Sequence, residues 1–475
     1  MQVRQTVEST ASKKISQIIV KLLDTCSDET LGQLTLLAEK LTKREDVLTA
    51  LRSIREMLRN PDHAIHRLFR RVTEYLPHDS KVRLFNTFFK NAWFSGWQKK
   101  MKVQEIYGFW PPFAMILSPT LNCNLRCKGC YTLGYGMRHE LPYEIVDKVL
   151  KECEELGISI ITILGGEPLV YPHLFRMLEE HPDITFQVYT NGTLVTRETA
   201  RRFRELHAIV VISNEGYEAE TDQWRGNGVY KKILKAFEYL TDERVIVGSS
   251  ATVTSKNVEV VSSEEFVDRM IQLGSIIQMY FLYMPVNGRS DFLLLVTPEQ
   301  RDLLRRKVAE FRRTKPLFFV DFWNDGPHVE GCIAAGKKYF HVNAKGDIEP
   351  CVYTHIATHN VRESTLAEAL CSPLFKAIRE RQPHNENHLR PCMIIDNPEI
   401  AREIIEETRP RFTHPGAEEI YTLRAAELDA YAQRYADFID PIWEKEYLCA
   451  NGAVRERMAG GRLEGRAGRR VAGKA

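Results

Sequence analysis

Residues 121–131 read LNCNLRCKGCY, which places three cysteines in the spacing Cys-x3-Cys-x2-Cys. Such close spacing on one loop lets the thiolates of Cys123, Cys127 and Cys130 converge on one metal centre. Soft thiolates select iron–sulfur clusters or zinc, and a structural zinc site would want a fourth ligand close by, where none is obvious. Three ligands on a four-iron cluster leave one iron open to a ligand from outside the protein. The loop therefore predicts a redox-active 4Fe-4S site.

The segments on either side of this loop alternate between β-rich and helical runs. This alternation is typical of βα units around a parallel sheet. Six units fit a partial barrel better than a full eight-stranded one, so we predict an α/β fold with a partial (β/α)6 TIM-type barrel. In such barrels the chemistry lies at the carboxyl ends of the strands, where the cysteine loop falls. The predicted strands are 113–117, 158–164, 185–190, 209–213, 245–253 and 277–284.

Turns that carry glycine or short polar side chains follow the next strands in order. The second predicted strand ends in a Gly-Gly-Glu-Pro turn, the third in Thr-Asn, and the fourth in a serine followed closely by a glutamate. A Trp-Arg-Gly segment comes next. Together with the cysteine loop, this series resembles the radical S-adenosylmethionine (SAM) superfamily over roughly residues 112–285. The residues that carry this part of the resemblance are Gly165, Gly166, Glu167, Pro168, Thr190, Asn191, Ser213, Glu215 and Arg225.

The resemblance implies a cofactor and a role for each of these residues. In that family the open iron chelates the methionyl amine and carboxylate of SAM, and reductive cleavage of SAM gives a 5′-deoxyadenosyl radical that abstracts a substrate hydrogen. The glycines then allow close backbone approach, Glu167 accepts from the methionyl ammonium, and Arg225 meets the carboxylate. The polar residues after strands three and four imply further contacts to SAM. One departure is Gly129, because the family usually has an aromatic residue just before the third cysteine.

A second set of cysteines lies further along the chain. Cys332, Gly346 and Cys351 have the spacing Cys-x13-Gly-x4-Cys, which resembles the opening of the SPASM/twitch auxiliary-cluster module. Alternating residues 339–342, a turn at 343–346 and a return to Cys351 predict a β-hairpin. Cys392 is the best third ligand, and the lack of a dense run of further cysteines favours the shorter twitch type with one auxiliary 4Fe-4S cluster. The alternative is a structural zinc or iron site.

The fourth ligand of this second site stays open at this stage. His341, His388 and Asp396 are candidates, and the other option is a fourth iron left open to bind substrate. Cys371 lies in a helical context and is better interpreted as a packed thiol.

Composition limits the class and location of the protein. The chain has 475 residues, a net charge of +2 and 44% hydrophobic residues, so it is globular and large enough for two or three domains. The first residues lack the apolar run of a signal peptide, and no stretch approaches 18 uninterrupted apolar residues. We therefore expect a cytoplasmic location, where ten cysteines are more naturally ligands or reduced thiols than disulfides.

The chain divides into five predicted regions. These are an N-terminal helical region (1–110), the radical SAM partial barrel (111–315), a small twitch/SPASM-like auxiliary module (316–400), C-terminal helices (401–450) and a disordered basic tail (451–475).

The basic flanking regions allow several interpretations. Residues 1–110 contain 19 Lys and Arg against 12 Asp and Glu, a net of +7. Within them, segment 81–102 interleaves aromatic residues with lysines. The favoured interpretation is a helix that packs its apolar face on the barrel. Peripheral contact with anionic lipid is the second, and nucleic-acid contact is the least favoured because the basic residues are scattered over several helices.

These observations predict an enzyme with two clusters and an unidentified substrate. The classes of substrate to consider are a peptide or protein, a small metabolite such as a tetrapyrrole, and a lipid. Cluster reduction requires a reducing partner such as ferredoxin or flavodoxin. The competing hypothesis is a non-catalytic iron–sulfur electron carrier or sensor, which the ordered SAM-contact motifs argue against.

Overall fold

The computed structural model describes residues 35–36, 39, 45–85, 87, 95–132 and 139–449. The tail at 451–475 and most aromatic residues of segment 81–102 lie outside these residues. Before the first strand, the described part of the N-terminal region forms helices. Their bounds are Glu45–Arg59 (α1), Ala64–Tyr75 (α2), His78–Phe85 (α3) and Ser95–Tyr107 (α4).

The centre of the molecule is a parallel sheet whose strands follow one another in chain order from β1 to β7. Several of these strands are mostly apolar, as is typical of parallel sheets covered on both faces. In β4, for example, Val210, Val211 and Ile212 are all fully buried. The strands are Ala114–Leu117 (β1), Ile160–Ile163 (β2), Thr185–Thr190 (β3), Ile209–Ser213 (β4), Ile246–Val253 (β5), Ile277–Leu282 (β6) and Phe318–Asp321 (β7).

Amphipathic helices connect these strands and cover the sheet. In the first of them, Val146, Val149, Leu150 and Cys153 recur at helical spacing and are buried, which forms one apolar face. The helices are Tyr143–Leu156 (α5), Leu174–Glu180 (α6), Arg197–Glu205 (α7), Glu218–Arg225 (α8), Val229–Asp242 (α9), Val258–Val261 (α10), Glu264–Gln272 (α11) and Pro298–Thr314 (α12).

The predicted α/β class is confirmed, and the parallel sheet has one strand more than the six predicted. Strand β7 lies just beyond the predicted boundary at residue 315 and pairs in parallel with β6. Its short run, Phe318–Asp321, follows a proline and gives too few residues for a clear periodic signal. The barrel layer therefore continues into the region predicted to be the auxiliary module.

The auxiliary region joins the sheet at its other edge. The predicted β-hairpin is present: β8 (His341–Val342) pairs in parallel with β1 and antiparallel with β9 (Asp347–Glu349). The full sheet order is β11-β9-β8-β1-β2-β3-β4-β5-β6-β7. The remaining described α-helices and strands are Gly326–Val329 (α13), Ile356–Ala357 (β10), His359–Asn360 (β11), Leu366–Leu370 (α14), Pro373–Glu380 (α15), Pro398–Thr408 (α16), Arg411–Phe412 (β12) and Ala425–Trp443 (α17).

Helix α2 attaches the N-terminal region to the amino-terminal end of the barrel. Arg71 donates to the carbonyl oxygens of Ile271 and Ser275, each at 2.7 Å, and Arg67 donates to that of Thr314 at 2.6 Å. Two of these carbonyls end helices α11 and α12, where cations are favourable. The N-terminal region is thus attached at the end of the barrel opposite to the carboxyl ends of the strands. None of the described helices is both long enough and apolar enough to cross a membrane.

Candidate active site

Both predicted cysteine sets line one cavity at the carboxyl ends of the strands. The cavity encloses about 730 Å³. The eight cysteines whose side chains the structure describes are all free of disulfides, and six of them reach this cavity. These are Cys123, Cys127, Cys130, Cys332, Cys351 and Cys392.

The first cysteine loop rests directly on the Gly165–Gly166 turn. Gly166 donates its backbone N–H to the carbonyl oxygen of Thr120 at 2.8 Å. A Cβ atom at Gly165 would lie 2.2 Å from that same oxygen, and one at Gly166 would lie 2.1 Å from the carbonyl oxygen of Asn122. Any side chain would therefore push the loop away. The two glycines thus allow the turn to approach the start of the cysteine loop closely. The sequence did not reveal this reason for glycine at both positions.

Glu167 connects this turn to the end of β3. Its carboxylate is fully buried and accepts hydrogen bonds from the Thr190 hydroxyl at 2.7 Å and the Asn191 backbone N–H at 2.8 Å. Burial raises the pKa of Glu167, although these hydrogen bonds oppose the rise. The Asn191 side chain in turn donates to Asn124 at 2.9 Å and lies 3.9 Å from the sulfur of Cys123. The turn, strand and cysteine loop thus form one hydrogen-bonded unit.

Arg225 and Glu215 form an ion pair beside the second cysteine of the loop. The Arg225 Nη2 group donates to Glu215 at 2.6 Å, and its Nη1 lies 3.8 Å from the sulfur of Cys127. Glu215 is buried, with 1% of its side chain exposed. The loop is held from this side too, because Lys128 donates its backbone N–H to the carbonyl oxygen of Trp224 at 2.8 Å.

Two aromatic rings occupy the space beside Gly129. This residue has a φ of 69°, and a Cβ there would lie 2.7 Å from the Trp224 ring and 2.8 Å from the Tyr283 ring. Both rings line the cavity and contact each other edge to face, with centroids 6.2 Å apart. The departure at position 129 therefore makes room for aromatic side chains from α8 and the segment after β6. The ring of Tyr131 lies instead against that of Tyr353 in the auxiliary region, with the two ring centroids 5.9 Å apart.

The second cysteine set has sulfur atoms that already accept or donate hydrogen bonds. The hydroxyl of Tyr339 lies 3.1 Å from the sulfur of Cys351, and Ile394 donates its backbone N–H to that of Cys392 at 3.4 Å. Such contacts to sulfur tune iron–sulfur clusters. Cys371 is exposed, lies at the end of α14 and is not among the described residues that line the cavity.

The candidates for a fourth ligand have other partners. Asp396 forms a fully buried ion pair with Arg301 at 2.6 Å. His341 has both ring nitrogens within hydrogen-bonding distance of other groups, as described below, and the ring of His388 lies 5.6 Å from that of Trp443. None of the three is among the described residues that line the cavity. The arrangement therefore favours a fourth position open to the cavity.

The chemistry of these thiols fits multi-iron clusters. Among the described residues, no Cys, His, Asp and Glu side chains gather closely enough to hold a single metal ion. In a four-iron cluster each thiolate binds a different iron, so the cysteine sulfur atoms lie further apart than the ligands of a single metal ion. Burial raises the pKa of Cys127 and of Cys392 to about 12, so the free thiols are protonated and a metal centre must displace the protons.

A buried hydrogen-bond chain joins β1 to the auxiliary hairpin beneath the cysteine loop. The Ser118 hydroxyl lies 2.8 Å from His341 Nε2, and His341 Nδ1 lies 2.6 Å from Glu349. Glu349 also accepts from Asn343 at 2.9 Å. Ser118 precedes the first cysteine loop and Glu349 precedes Cys351, so this chain fixes the two cysteine sets relative to each other.

Replacing His341 by alanine should destabilise the protein by about 1–3 kcal/mol, because Ser118 and Glu349 would be left buried without this partner. We would measure urea unfolding of the reconstituted protein under anaerobic conditions. His359→Ala is the matched control, since the ring of that half-buried histidine contacts only its neighbour Thr358 among the hydrogen bonds described. Equal midpoints for the two variants would contradict the role given to this chain.

The structure gathers most, but not all, of the predicted SAM-contact residues at the cavity wall. Glu167, Pro168 and Glu215 are not among the described lining residues and instead lie buried behind it. The sequence did not single out Tyr189, Trp224 and Tyr283 as lining residues, since large aromatic residues in or next to strands and helices are ordinary core residues. Those that line the cavity are Gly165, Gly166, Thr190, Asn191, Ser213 and Arg225.

Family models match two parts of the chain. Residues 117–270 match the radical SAM superfamily, and residues 332–393 match an iron–sulfur cluster-binding domain, SPASM. Together they contain the cysteine loop, the turns after β2 to β4, and all three predicted ligands of the second set.

Known proteins with similar sequences include enzymes of heme biosynthesis. The pre-heme d1 synthase of Dinoroseobacter shibae is 31% identical over 307 residues, which cover 55% of this chain and 74% of that protein. The AdoMet-dependent heme synthase of Methanosarcina barkeri is 25% identical, covering 52% of this chain and 79% of that protein.

A solved structure has a similar fold. The SuiB protein of Streptococcus suis, in its complex with the precursor peptide SuiA, superposes with a TM-score of 0.54 at 17% identity, covering 68% of this chain and 79% of SuiB. This similarity supports the fold alone. The family models and the 31% identical relative together show that the chain belongs to the radical SAM superfamily and carries a SPASM-type auxiliary iron–sulfur module.

Proposed function

We propose that this radical SAM enzyme acts on a small molecule bound between Cys123, Cys127 and Cys130 on one side and Cys332, Cys351 and Cys392 on the other. The single observation that carries this proposal is that all six thiols line one cavity. When bound, the first cluster and SAM supply a 5′-deoxyadenosyl radical that abstracts a hydrogen atom from the substrate.

The residues around the first set would bind and orient SAM. Arg225 presents a cation beside Cys127 and is suited to the methionyl carboxylate, while Glu215 holds its guanidinium in place. Trp224 and Tyr283 offer flat apolar surfaces to the adenine and exclude water. Glu167 acts from behind the wall by fixing Thr190 and Asn191.

The auxiliary set would hold its cluster with three thiolates. We expect reconstituted protein to contain about eight irons, and the Cys332→Ser, Cys351→Ser, Cys392→Ser triple variant about four, because each four-iron cluster depends on its own thiolates. Iron analysis with Mössbauer spectroscopy measures this. A variant that keeps all its iron would contradict this ligand set, and a wild type with only four would contradict a second cluster.

An acidic electron carrier such as ferredoxin or flavodoxin in the cytoplasm is the proposed reductant. Arg126 and Lys128 alternate with the cysteines of the first loop, and both are exposed. They offer a positive surface close to the cluster site, which favours fast association with a negatively charged partner.

Two relatives are named for heme compounds, which supports a small-molecule substrate over a peptide. The decisive experiment for the reaction class is incubation of anaerobically reconstituted protein with dithionite and SAM. We expect 5′-deoxyadenosine by liquid chromatography. Intact clusters without this product would instead support an iron–sulfur carrier or sensor.

A further inference from the structure

Asp396, one of the candidates for a fourth ligand, contacts the backbone of Cys392. The Cys392 backbone N–H donates to the Asp396 carboxylate at 3.0 Å, and the Asp396 backbone N–H donates back to the carbonyl oxygen of Cys392 at 3.1 Å. Asn397 donates its backbone N–H to the same carbonyl oxygen at 3.0 Å. Both backbone polar groups of Cys392 are therefore held by the two residues 396 and 397, while Cys392 itself lines the cavity.

Arg301 of helix α12 holds the Asp396 carboxylate from the barrel side. Its Nη1 and Nη2 groups donate to the two carboxylate oxygens at 2.6 and 3.2 Å, which is the bidentate geometry that gives arginine pairs their specificity. The Nη2 group also donates to the carbonyl oxygen of Leu389 at 3.0 Å. Arg301 thus contacts the chain both before and after Cys392, and neither side chain of the ion pair is exposed to solvent.

Two further contacts fix the Arg301 side chain in place. Its guanidinium lies over the ring of Tyr435 in α17, 3.8 Å from the ring centroid, and the Tyr435 hydroxyl donates to the same carbonyl oxygen of Leu389 at 3.2 Å. The Arg301 Nε group donates to the side chain of Asn324, just after β7, at 3.3 Å. One buried cation therefore joins the barrel, the last helix and the loop that carries Cys392.

Stability alone does not explain a pair of charges at this place. A buried ion pair loses its hydration, and apolar residues of similar volume often replace such a pair without loss of stability. Among the described hydrogen bonds, no other Asp or Glu side chain contacts a cysteine of the cavity, so this charge is specific to the Cys392 loop. Groups that orient a ligand affect metal affinity, and nearby charge affects the reduction potential of a cluster.

We propose that the Arg301–Asp396 ion pair positions Cys392 for the auxiliary cluster and sets the reduction potential of that cluster. This inference rests on the proposed function, in which Cys392 is a cluster ligand. The Asp396 oxygen that accepts from the Cys392 N–H fixes the backbone of the ligand, and the negative charge beside it disfavours the addition of an electron to the cluster. Arg301 holds that carboxylate in place and offsets part of its charge. Both are positioning residues, since neither lines the cavity.

Two substitutions of Asp396 separate the positioning of Cys392 from the effect of charge. Asp396→Ala removes the acceptor for the Cys392 N–H, whereas Asp396→Asn keeps an acceptor oxygen and removes only the charge. In the reconstituted holoenzyme, the EDTA concentration that removes half of the auxiliary iron should fall at least about tenfold in Asp396→Ala alone, because loss of a group that orients a ligand costs about 10–100-fold in metal affinity. Formation of 5′-deoxyadenosine by both variants shows that the first cluster and the barrel are intact.

The midpoint potential of the auxiliary cluster, from a redox titration followed by electron paramagnetic resonance, measures the effect of charge. We expect Asp396→Asn to raise the equilibrium constant for one-electron reduction at least about tenfold, which corresponds to about 59 mV, because the cation of Arg301 remains. Arg301→Lys keeps the cation and should keep the wild-type potential. Asp302→Asn is the matched control and should not shift it, since that buried carboxylate is paired within α12 with Arg305 and Arg306 at 2.7 and 2.9 Å.

A wild-type potential in Asp396→Asn would overturn the proposal, as would wild-type resistance to EDTA in Asp396→Ala. Equal iron loss in the two variants would also overturn it, because the ion pair would then act on folding rather than through the Cys392 N–H. The iron content of the wild type tests the proposed function separately. About eight irons with unchanged potentials would reject this inference alone, whereas about four irons would contradict the second cluster and, with it, this inference.

Discussion

Replacement of Cys123, Cys127 and Cys130 together by serine should lower 5′-deoxyadenosine formation more than about 100-fold. The reason is that these thiolates are the proposed ligands of the SAM-binding cluster, and even loss of contacts that merely support a ligand costs about 10–100-fold in metal affinity or activity. The measurement is product formation by anaerobically reconstituted protein with dithionite and SAM. The variant should still contain about four irons in the auxiliary module, which shows that it has folded.

Cys371→Ser is the matched control for this experiment. Cys371 is an exposed free thiol in the same chain but lies outside the cavity. We expect its iron content and product formation to equal those of the wild type. Product formation by the triple variant, or loss of iron from Cys371→Ser, would contradict the assignment of the first cysteine set.

Gly165→Ala should disrupt the first cluster site although residue 165 is not a ligand. A Cβ there would lie 2.2 Å from the carbonyl oxygen of Thr120, at a φ of 120°. The cysteine loop would have to move, and a displacement of about 1 Å near reacting groups can cost roughly 100-fold in rate. We therefore expect loss of SAM-cluster iron and a similar drop in 5′-deoxyadenosine, measured as for the cysteine variant.

Gly226→Ala separates this steric effect from backbone strain. Gly226 has nearly the same φ, 118°, but a Cβ there would meet nothing within 4 Å. Both variants carry a strain of about 1–3 kcal/mol from this backbone region. Only Gly165→Ala should lose iron. Similar iron loss in both proteins would mean that strain, rather than contact with Thr120, explains the effect.

The site was predictable where chemistry depends on local spacing. The first cysteine loop, the glycine turn and the hairpin each lie within a short stretch of consecutive residues, and their residue types limit what they can do. The second cysteine set extends over residues 332–392, and the spacing of its first two cysteines carried its prediction. Strand β7 was missed because four residues after a proline carry little periodic signal. The roles of Trp224 and Tyr283 were missed because an aromatic residue in a sequence does not indicate whether it packs in a core or faces a cavity.

By itself, the sequence determined the α/β class, the presence of two iron–sulfur modules and the order of the turns, because covalent spacing and apolar periodicity act over short distances. Only the tertiary structure decided that Cys123 and Cys351 line the same cavity and that Arg225 is paired with Glu215. It also showed that the carbonyl oxygen of Thr120 leaves no room for a side chain at position 165. These relations depend on how strands and helices pack, and packing distances between remote segments are not encoded in any local pattern.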